Sequence, residues 1–532
     1  SVAVFTRQPE GASGPVPVLT NWVEQKAARL ALRFLESAEA APEGCKEALA
    51  THCGTALRPD TSKLSPPSRT PSVALLKEAG VESGDDGVAA IVEDPSGAGN
   101  GSLVAVRGAS AFAPLLRIPG RLLFNLDTVR RYCDLGMVLN RAAWKKMLDD
   151  EGEALLLTCF IYEAAKWRAT GKSNWAQLLQ TCPRHFPGVP TMWGAHELQH
   201  LAGTSVLDEV AMKQATLAAF SSSMQSLLTA VADKHSPIFT EVLGAAVAEL
   251  SGGEAVDDAT LTTAEKIAHV FSEEQYQWAR CVFDSRSFHL LHGGARVLVT
   301  LAPVADMINH TASGSDVLSR RIDEATGEFV LELAAGFDAK EVPREVVMCY
   351  GPLQTWELLL SYGFVPTDDG GVNPHDRLPF TALDGLINVE PPAPAASDDD
   401  EEEDEAAADD GYDEQRRAII AAHGLDLVDQ LFIPVDGVVP PVVRAVLRLC
   451  QAEAEEFPQL HANPFASGPA YLDERVSETL RSFATSFVDT VAVDDEAAAM
   501  EELDSELKSR VAMAFELRRR LVAIAKTVAT TA

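Results

Sequence analysis

No two of the eight cysteines form a Cys-x-x-Cys pair; they stand at Cys45, Cys53, Cys133, Cys159, Cys182, Cys281, Cys349 and Cys450. A structural zinc draws its four ligands from closely spaced pairs, so this scatter excludes that class of site and predicts reduced, buried thiols. Long apolar runs are missing as well. No window approaches the ~20 uninterrupted apolar residues of a membrane-spanning helix, so no membrane partner is expected. Positive charge is scarce: 44 lysines and arginines face 78 aspartates and glutamates, a formal charge of −34. Such a surface repels phosphate backbones, which argues against direct nucleic-acid binding and suits a lysine-presenting protein partner. Residues 398–410 hold ten of the acidic side chains, and the rest of the chain is still strongly negative. The chain starts at Ser1 with neither Met nor a charged-then-apolar leader. A targeting peptide, a chloroplast transit peptide among the candidates, is expected to have been removed or to lie outside this sequence.

What is present is an ordinary apolar fraction of 46% spread over 532 residues, too many for one compact core. Residues 1–71 read as a peripheral extension, with a helical patch at 22–35 and a Pro/Ser-rich linker, Ser65-Pro-Pro-Ser-Arg-Thr-Pro71. Strand-like runs follow at 88–92, 103–106 and 115–119, the first two separated by Gly97-Ala-Gly-Asn-Gly-Ser102. Small residues there would let backbone approach a ligand closely; a plain β-turn is the alternative. From 127 to 269 the pattern is helical, clearest at 155–167. Met192-Trp-Gly-Ala-His-Glu-Leu-Gln-His-Leu201 puts His196 and His200 four apart, as on a metal-binding helix. No third ligand stands near them, so a solvent-facing helix side is expected instead. Ser272-Glu-Glu-Gln275 reads as a capping box, with Phe271 and Tyr276 as its hydrophobic staple. The helix it opens carries Trp278, Cys281, Val282 and Ser285 on one face and reaches Arg286. Residues 391–410 are a low-complexity, solvated loop, and helices are expected beyond it. The last has Met500, Leu503, Leu507, Val511, Phe515 and Leu521 near a 3.6-residue period, with Arg518-Arg-Arg520 toward its C-terminal end.

The most specific stretch lies between. A β-like run, Ala295-Arg-Val-Leu-Val-Thr-Leu301, leads into Ala305-Asp-Met-Ile-Asn-His310. A second run, Val346-Val-Met-Cys-Tyr350, ends at Gly351-Pro352, and a helical segment then closes on Tyr362-Gly-Phe364. This ordered set, with Ser285-Arg-Ser-Phe288 before it, resembles the C-terminal half of a SET domain. It is most similar to protein-lysine methyltransferases of the plant Rubisco large-subunit type. The resemblance implies an α+β fold of short β-sheets split by a helical insert and followed by an α-helical substrate-binding domain. It apportions the chain as 1–71 extension, 72–126 first part of the SET domain, 127–271 insert, 272–366 second part, and 367–532 helical domain. It further implies S-adenosyl-L-methionine as cofactor, no metal, a lysine of a non-histone protein as substrate, and the chloroplast stroma as location, with cytoplasm or nucleus as alternatives.

By the same resemblance Tyr350 is the catalytic tyrosine, its hydroxyl near the transferring methyl. Arg286, Asp306, Asn309 and His310 line the cofactor site, Asn309 through its amide and His310 through its backbone at the adenine. Tyr362 and Phe364 wall both the cofactor and, with Tyr350, the lysine channel. Gly99, Asn100 and Gly101 stand where the family has an acidic residue followed by Gly-x-Gly, a departure that puts the cofactor turn in doubt. Taken singly, the tyrosines could be core aromatics and Asn309-His310 an Asx-type turn. Two other functions stay open. One is a SET-fold scaffold in a larger assembly, such as a plastid transcription complex. The other is histidine methylation, which the intact Tyr362-Gly-Phe364 disfavours.

Overall fold

Among the described residues, short strands come first, helices fill 126–286, strands return over 287–348, and helices dominate thereafter. The computed structural model describes residues 89–92, 102–105, 108–141, 152–235, 237–250, 261–292, 296–312, 314–336, 338, 340–341, 344–366, 372–379, 413–423, 431–491, 496–500 and 503–531. The N-terminal extension, the glycine turn through Gly101 and the acidic loop at 391–410 lie outside them. The chain divides into two compact units. The first comprises Ser1–Gln199, Ser205–Gly351 and Leu359–Phe364; the second, His200–Thr204, Pro352–Leu358 and Val365–Ala532.

In the first unit, β1 (Ala89–Val92) pairs antiparallel with β2 (Ser102–Ala105). β3 (Pro114–Ile118) precedes the helices α1 (Leu126–Tyr132), α2 (Asp134–Leu139), α3 (Glu153–Thr170), α4 (Ala176–Thr181) and α5 (Ala195–Leu198). Then come α6 (Ser205–His235), α7 (Pro237–Leu250), α8 (Thr263–Val270) and α9 (Glu273–Arg286). The strands resume with the hairpin β4 (Ser287–His292) and β5 (Arg296–Leu301), followed by β6 (Asn309–His310), β7 (Val317–Ile322) and β8 (Phe329–Leu333). β9 (Arg344–Glu345) and β10 (Val347–Met348) complete the set, and helix α10 (Thr355–Tyr362) follows them in the chain. β9 pairs antiparallel with β2, β8 lies between β3 and β7, and β6 runs parallel to β10.

The core explains these choices. β8 is the central strand of its sheet, and its Phe-Val-Leu-Glu-Leu run is accordingly buried at every apolar position. α3 is buried continuously from Ala154 to Ala165, so its apolar residues wrap the whole helix rather than one stripe. Phe124 sits among Phe160, Trp175 and Phe283 at centroid distances of 4.9–6.1 Å, edge-to-face. The indole N–H groups of Trp175 and Trp278 donate to the carbonyls of Leu123 and Pro183. Buried Glu163 accepts from the Ser173 hydroxyl at 2.7 Å and lies 3.8 Å from Lys166 Nζ. Cys133, Cys159, Cys182 and Cys281 are buried thiols of this unit, and burial pushes those of Cys182 and Cys281 up to about 12.

Two local expectations need correction. The helix expected over 192–201 is broken: a 3-10 turn at Pro190–Met192 gives way to the four-residue α5 and then a second 3-10 turn, Gln199–Leu201. His196 is exposed, while the His200 ring meets Phe515 edge-on at 5.3 Å. Among the described residues no three His, Cys, Asp or Glu side chains converge as metal ligands. Ser272 is the N-cap of α9, as the sequence suggests, but its side chain makes no capping bond. The reciprocal box forms one helix earlier, between Thr262 and Glu265 at the start of α8.

The second unit contains β11 (Arg377–Pro379), α11 (Asp413–Ala422), β12 (Phe432–Pro434), α12 (Pro441–Gln451), α13 (Phe457–Ala462), α14 (Ala470–Val491), α15 (Glu496–Met500) and α16 (Ser505–Thr531); β11 pairs with β12. The expected terminal helix is thus two, with Met500 on α15 and Val511, Phe515 and Leu521 buried on α16. Val443, Val446, Val476, Leu480, Ile524 and Val528 form much of the core. Arg520 donates to the Thr355 hydroxyl at 3.0 Å, and Asp376 accepts from the Thr355 N–H and hydroxyl at 2.6 and 2.8 Å. Cys450, of this unit, is half-buried, as is Cys349 of the first.

Candidate active site

Helix α9 delivers Arg286 at its C-terminal end, where a cation is favoured by the helix dipole. Its Nη1 donates to Asp306 Oδ2 at 2.9 Å and to the Asp306 carbonyl at 3.3 Å. Both side chains are withdrawn from solvent, at 8% and 0% exposure, so neither charge could stand there alone. Burial pushes the Asp306 carboxyl above its ordinary value, and Arg286 offsets only part of that shift. The turn that aims Asp306 inward is strained. Val304, β-branched and buried, takes φ +76° and ψ −47°, and the amide of Met307 donates back to its carbonyl.

Three residues on, β6 carries Asn309 and His310 beside β10, with Asn309 opposite Val347 and His310 opposite Met348. Asn309 Nδ2 donates to Glu345 Oε1 at 2.6 Å. His310 Nδ1 accepts from the Tyr350 N–H at 3.2 Å. The Tyr350 hydroxyl donates to the Ile308 carbonyl at 2.8 Å. Burial, and secondarily Tyr362, pushes that hydroxyl well above the ordinary phenol value. At neutral pH it is therefore a hydrogen-bond donor and cannot be a general base.

Tyr362 and Phe364 complete an aromatic enclosure. Tyr350 stacks on Tyr362 with centroids 4.7 Å apart, His310 lies 5.0 Å from Tyr350 and 6.0 Å from Phe364, and Tyr362 is 6.3 Å from Phe364. The glycine between the last two has a double reason. Gly363 closes the helical segment ending at Tyr362 with φ +77°, and a Cβ there would lie 2.8 Å from the Gly188 carbonyl carbon. Gly188 is equally constrained, since its own Cβ would meet the Gly363 oxygen at 2.0 Å.

The structure thus brings Arg286, Asp306, Asn309, His310, Tyr350, Tyr362 and Phe364 into one neighbourhood of the first unit. Gly99, Asn100 and Gly101 lie outside the described residues. The nitrogen end of the Asn309 amide is turned to the Glu345 carboxylate. Sequence reasoning missed Glu345, the Ile308 carbonyl and Gly188. The only sequence signal for Glu345 is its position just before the run that leads to Tyr350. Aromatic rings, the phenolic hydroxyls of Tyr350 and Tyr362 and a set of carbonyl and carboxylate acceptors suit a site that holds an aliphatic amine beside a zwitterionic ligand.

No protein-family model matches the chain. Over 136 residues it is 31% identical to SET domain-containing protein 4 of Mus musculus, covering 24% of this chain and 29% of that protein. Over 118 residues it is 29% identical to the Homo sapiens protein of the same name, covering 21% and 25%. The chain therefore spans less than a third of the length of these curated relatives. Among solved structures, the SET domain of LSMT bound to lysine and AdoHcy aligns with 86% of this chain and 88% of its own, at TM-score 0.55 and 17% identity. Rubisco LSMT bound to sinefungin and monomethyllysine aligns at TM-score 0.56 and 17% identity, covering 86% and 89%. The chain accordingly has the SET-domain fold, continued by a helical C-terminal region.

Proposed function

We propose that this chain is a protein-lysine N-methyltransferase that uses S-adenosyl-L-methionine and acts on a non-histone protein. The observation that carries the reading is the aromatic enclosure of His310, Tyr350, Tyr362 and Phe364, built beside Asn309 and the buried Arg286–Asp306 pair. Solved neighbours of the fold are complexes with lysine, methyl-lysine and AdoHcy, which supports the same chemistry here.

The residues suit the cofactor: Asn309 keeps an amide oxygen as acceptor, Glu345 supplies a carboxylate, and the rings offer flat apolar surface. When bound, the cofactor supplies a methyl group on a positively charged sulfur. The protein's task lies with the lysine, whose amine has a pKa of about 10.4 in water and cannot attack while protonated. A narrow aromatic channel disfavours the ammonium form and lowers that value. The Tyr350 hydroxyl, anchored on the Ile308 carbonyl, fixes the polar side of the channel, while Tyr362 and Phe364 restrict the amine's approach. Holding amine and methyl in line removes much of the entropic barrier.

The second unit, with its helices α12, α14 and α16, is the proposed seat of protein-substrate binding. The Rubisco large subunit or another stromal protein is the proposed substrate, and a chloroplast its compartment. Titration calorimetry with S-adenosylmethionine and S-adenosylhomocysteine, without added metal, should show binding of both. Labelled cofactor should then mark a lysine in a protein of a plastid extract. No heat with either ligand would leave the scaffold reading, which the altered turn at Asn100 and Ser102 favours.

A further inference from the structure

We propose that Glu345 recognises the α-ammonium group of the cofactor's amino-acid moiety, acting with Asn309 as a paired acceptor. The inference rests on the methyltransferase reading above and names how that site selects a zwitterion. It starts from the short contact between Asn309 Nδ2 and Glu345 Oε1 at 2.6 Å. A carboxylate at neutral pH has no proton to donate, so only the amide nitrogen of Asn309 can face it. The orientation of Asn309 is thereby fixed, and its oxygen is left as an acceptor. A cluster of acceptors next to a full negative charge suits an ammonium group and repels a carboxylate.

Strand geometry supports the assignment. β9 is two residues long, and its side chains alternate in direction. Arg344 pairs with Asp316 at 2.5 Å, whereas Glu345 turns to Asn309. Glu345 is exposed, so a ligand can reach its carboxylate from solvent. The charge also reaches the aromatic enclosure, where it adds to the elevation of the Tyr350 hydroxyl. At the other end of the neighbourhood, Arg286 is matched by Asp306, so these two buried charges balance. Glu345 is then the charge that gives the site its polarity.

The test crosses one substitution with one ligand change. Wild type and Glu345→Gln are titrated with S-adenosylhomocysteine and with its desamino analogue, which keeps the carboxylate but lacks the α-amino group. Glutamine retains an oxygen for Asn309, and thermal melts report whether the variant folds. The substitution should weaken S-adenosylhomocysteine on the order of 10-fold, the scale of one charge-assisted hydrogen bond. Removing the amino group should weaken wild type by a similar factor, and the analogue should bind both proteins equally. Equal losses for both ligands in the variant would make Glu345 a structural residue only and overturn the proposal, as would no loss at all. Failure of wild type to bind S-adenosylhomocysteine would instead defeat the methyltransferase reading, and this inference with it.

Discussion

Tyr350 gathers several consequences onto one side chain. Its hydroxyl is bonded to the Ile308 carbonyl, its N–H to His310, and its ring to Tyr362. Tyr350→Phe removes only the first of these, so folding and S-adenosylhomocysteine affinity should be close to wild type. If the hydroxyl orders the amine and methyl group, turnover at saturation should fall on the order of 10²-fold, the scale of losing one preorganised donor. A variant turning over at near the wild-type rate would remove Tyr350 from catalysis. At this scale much of the candidate site was legible. The order of Arg286, Asp306, Asn309, His310, Tyr350, Tyr362 and Phe364 marked a set that the structure gathers in one place. Glu345 was not legible, because it meets Asn309 from 36 residues away in sequence, where β10, just beyond Glu345, runs parallel to β6. Gly188 escaped for a similar reason: its constraint is a backbone approach to Gly363 that no local pattern encodes.

Elements followed from sequence where burial was simple and failed where side chains competed for backbone. The strands around 89–92, 102–105 and 114–118 stand within a residue or so of the apolar runs that predicted them. The two capping signatures have the same spacing, yet only Thr262 and Glu265 close the reciprocal bonds. The 192–201 segment has helix-forming residues, but Gly194 serves as an extended N-cap and splits it into short turns. α3 holds the clearest electrostatic liability of the fold. Burial is the largest influence on Glu163 and raises its carboxyl above the ordinary value, against the opposing pull of Ser173, Lys166 and Cys133. A folded-state value above the unfolded one means a stability contribution complete below about pH 4.5 and lost as pH rises through the folded value. Glu163→Gln removes that titration and keeps an oxygen for Ser173. The melting-temperature difference, variant minus wild type, should therefore grow between pH 4 and pH 8 as read by thermal melts. A constant difference across that range would mean that Glu163 stays charged in the folded protein at a normal pKa.

The molecule as a whole is defined by its charge of −34. A lysine-bearing substrate protein of basic surface should be drawn in by that field, whereas the zwitterion S-adenosylhomocysteine carries no net charge to steer. Raising salt from about 0.01 M to 1 M shortens the screening length from about 30 Å to 3 Å. Over that range kcat/KM on such a protein should fall at least about 10-fold through slower encounter. S-adenosylhomocysteine affinity should change far less. Equal sensitivity of the two would deny the acidic surface a part in substrate capture. The helical character of the region beyond Pro366 was legible from the change in composition there. The break between α15 and α16 was not, because a hydrophobic period continues through both.

The burial of the thiols makes the protein its own gauge of opening. Cys133, Cys159, Cys182 and Cys281 are all enclosed in the first unit, whereas Cys349 and Cys450 are half-buried. A thiol reacts as thiolate; burial hides all four sulfurs, and at Cys133, Cys182 and Cys281 it also withholds that form. In native buffer a maleimide should therefore tag the enclosed four on the order of 10² times more slowly than Cys349, through rare excursions of the first unit. Counting tags per molecule by mass, along a denaturant series, would time those excursions without any introduced probe. S-adenosylhomocysteine should slow the clock in proportion to its occupancy, since a ligand held by the closed form suppresses the open one. Tagging of the four at the rate of Cys349 would show that this interior breathes freely.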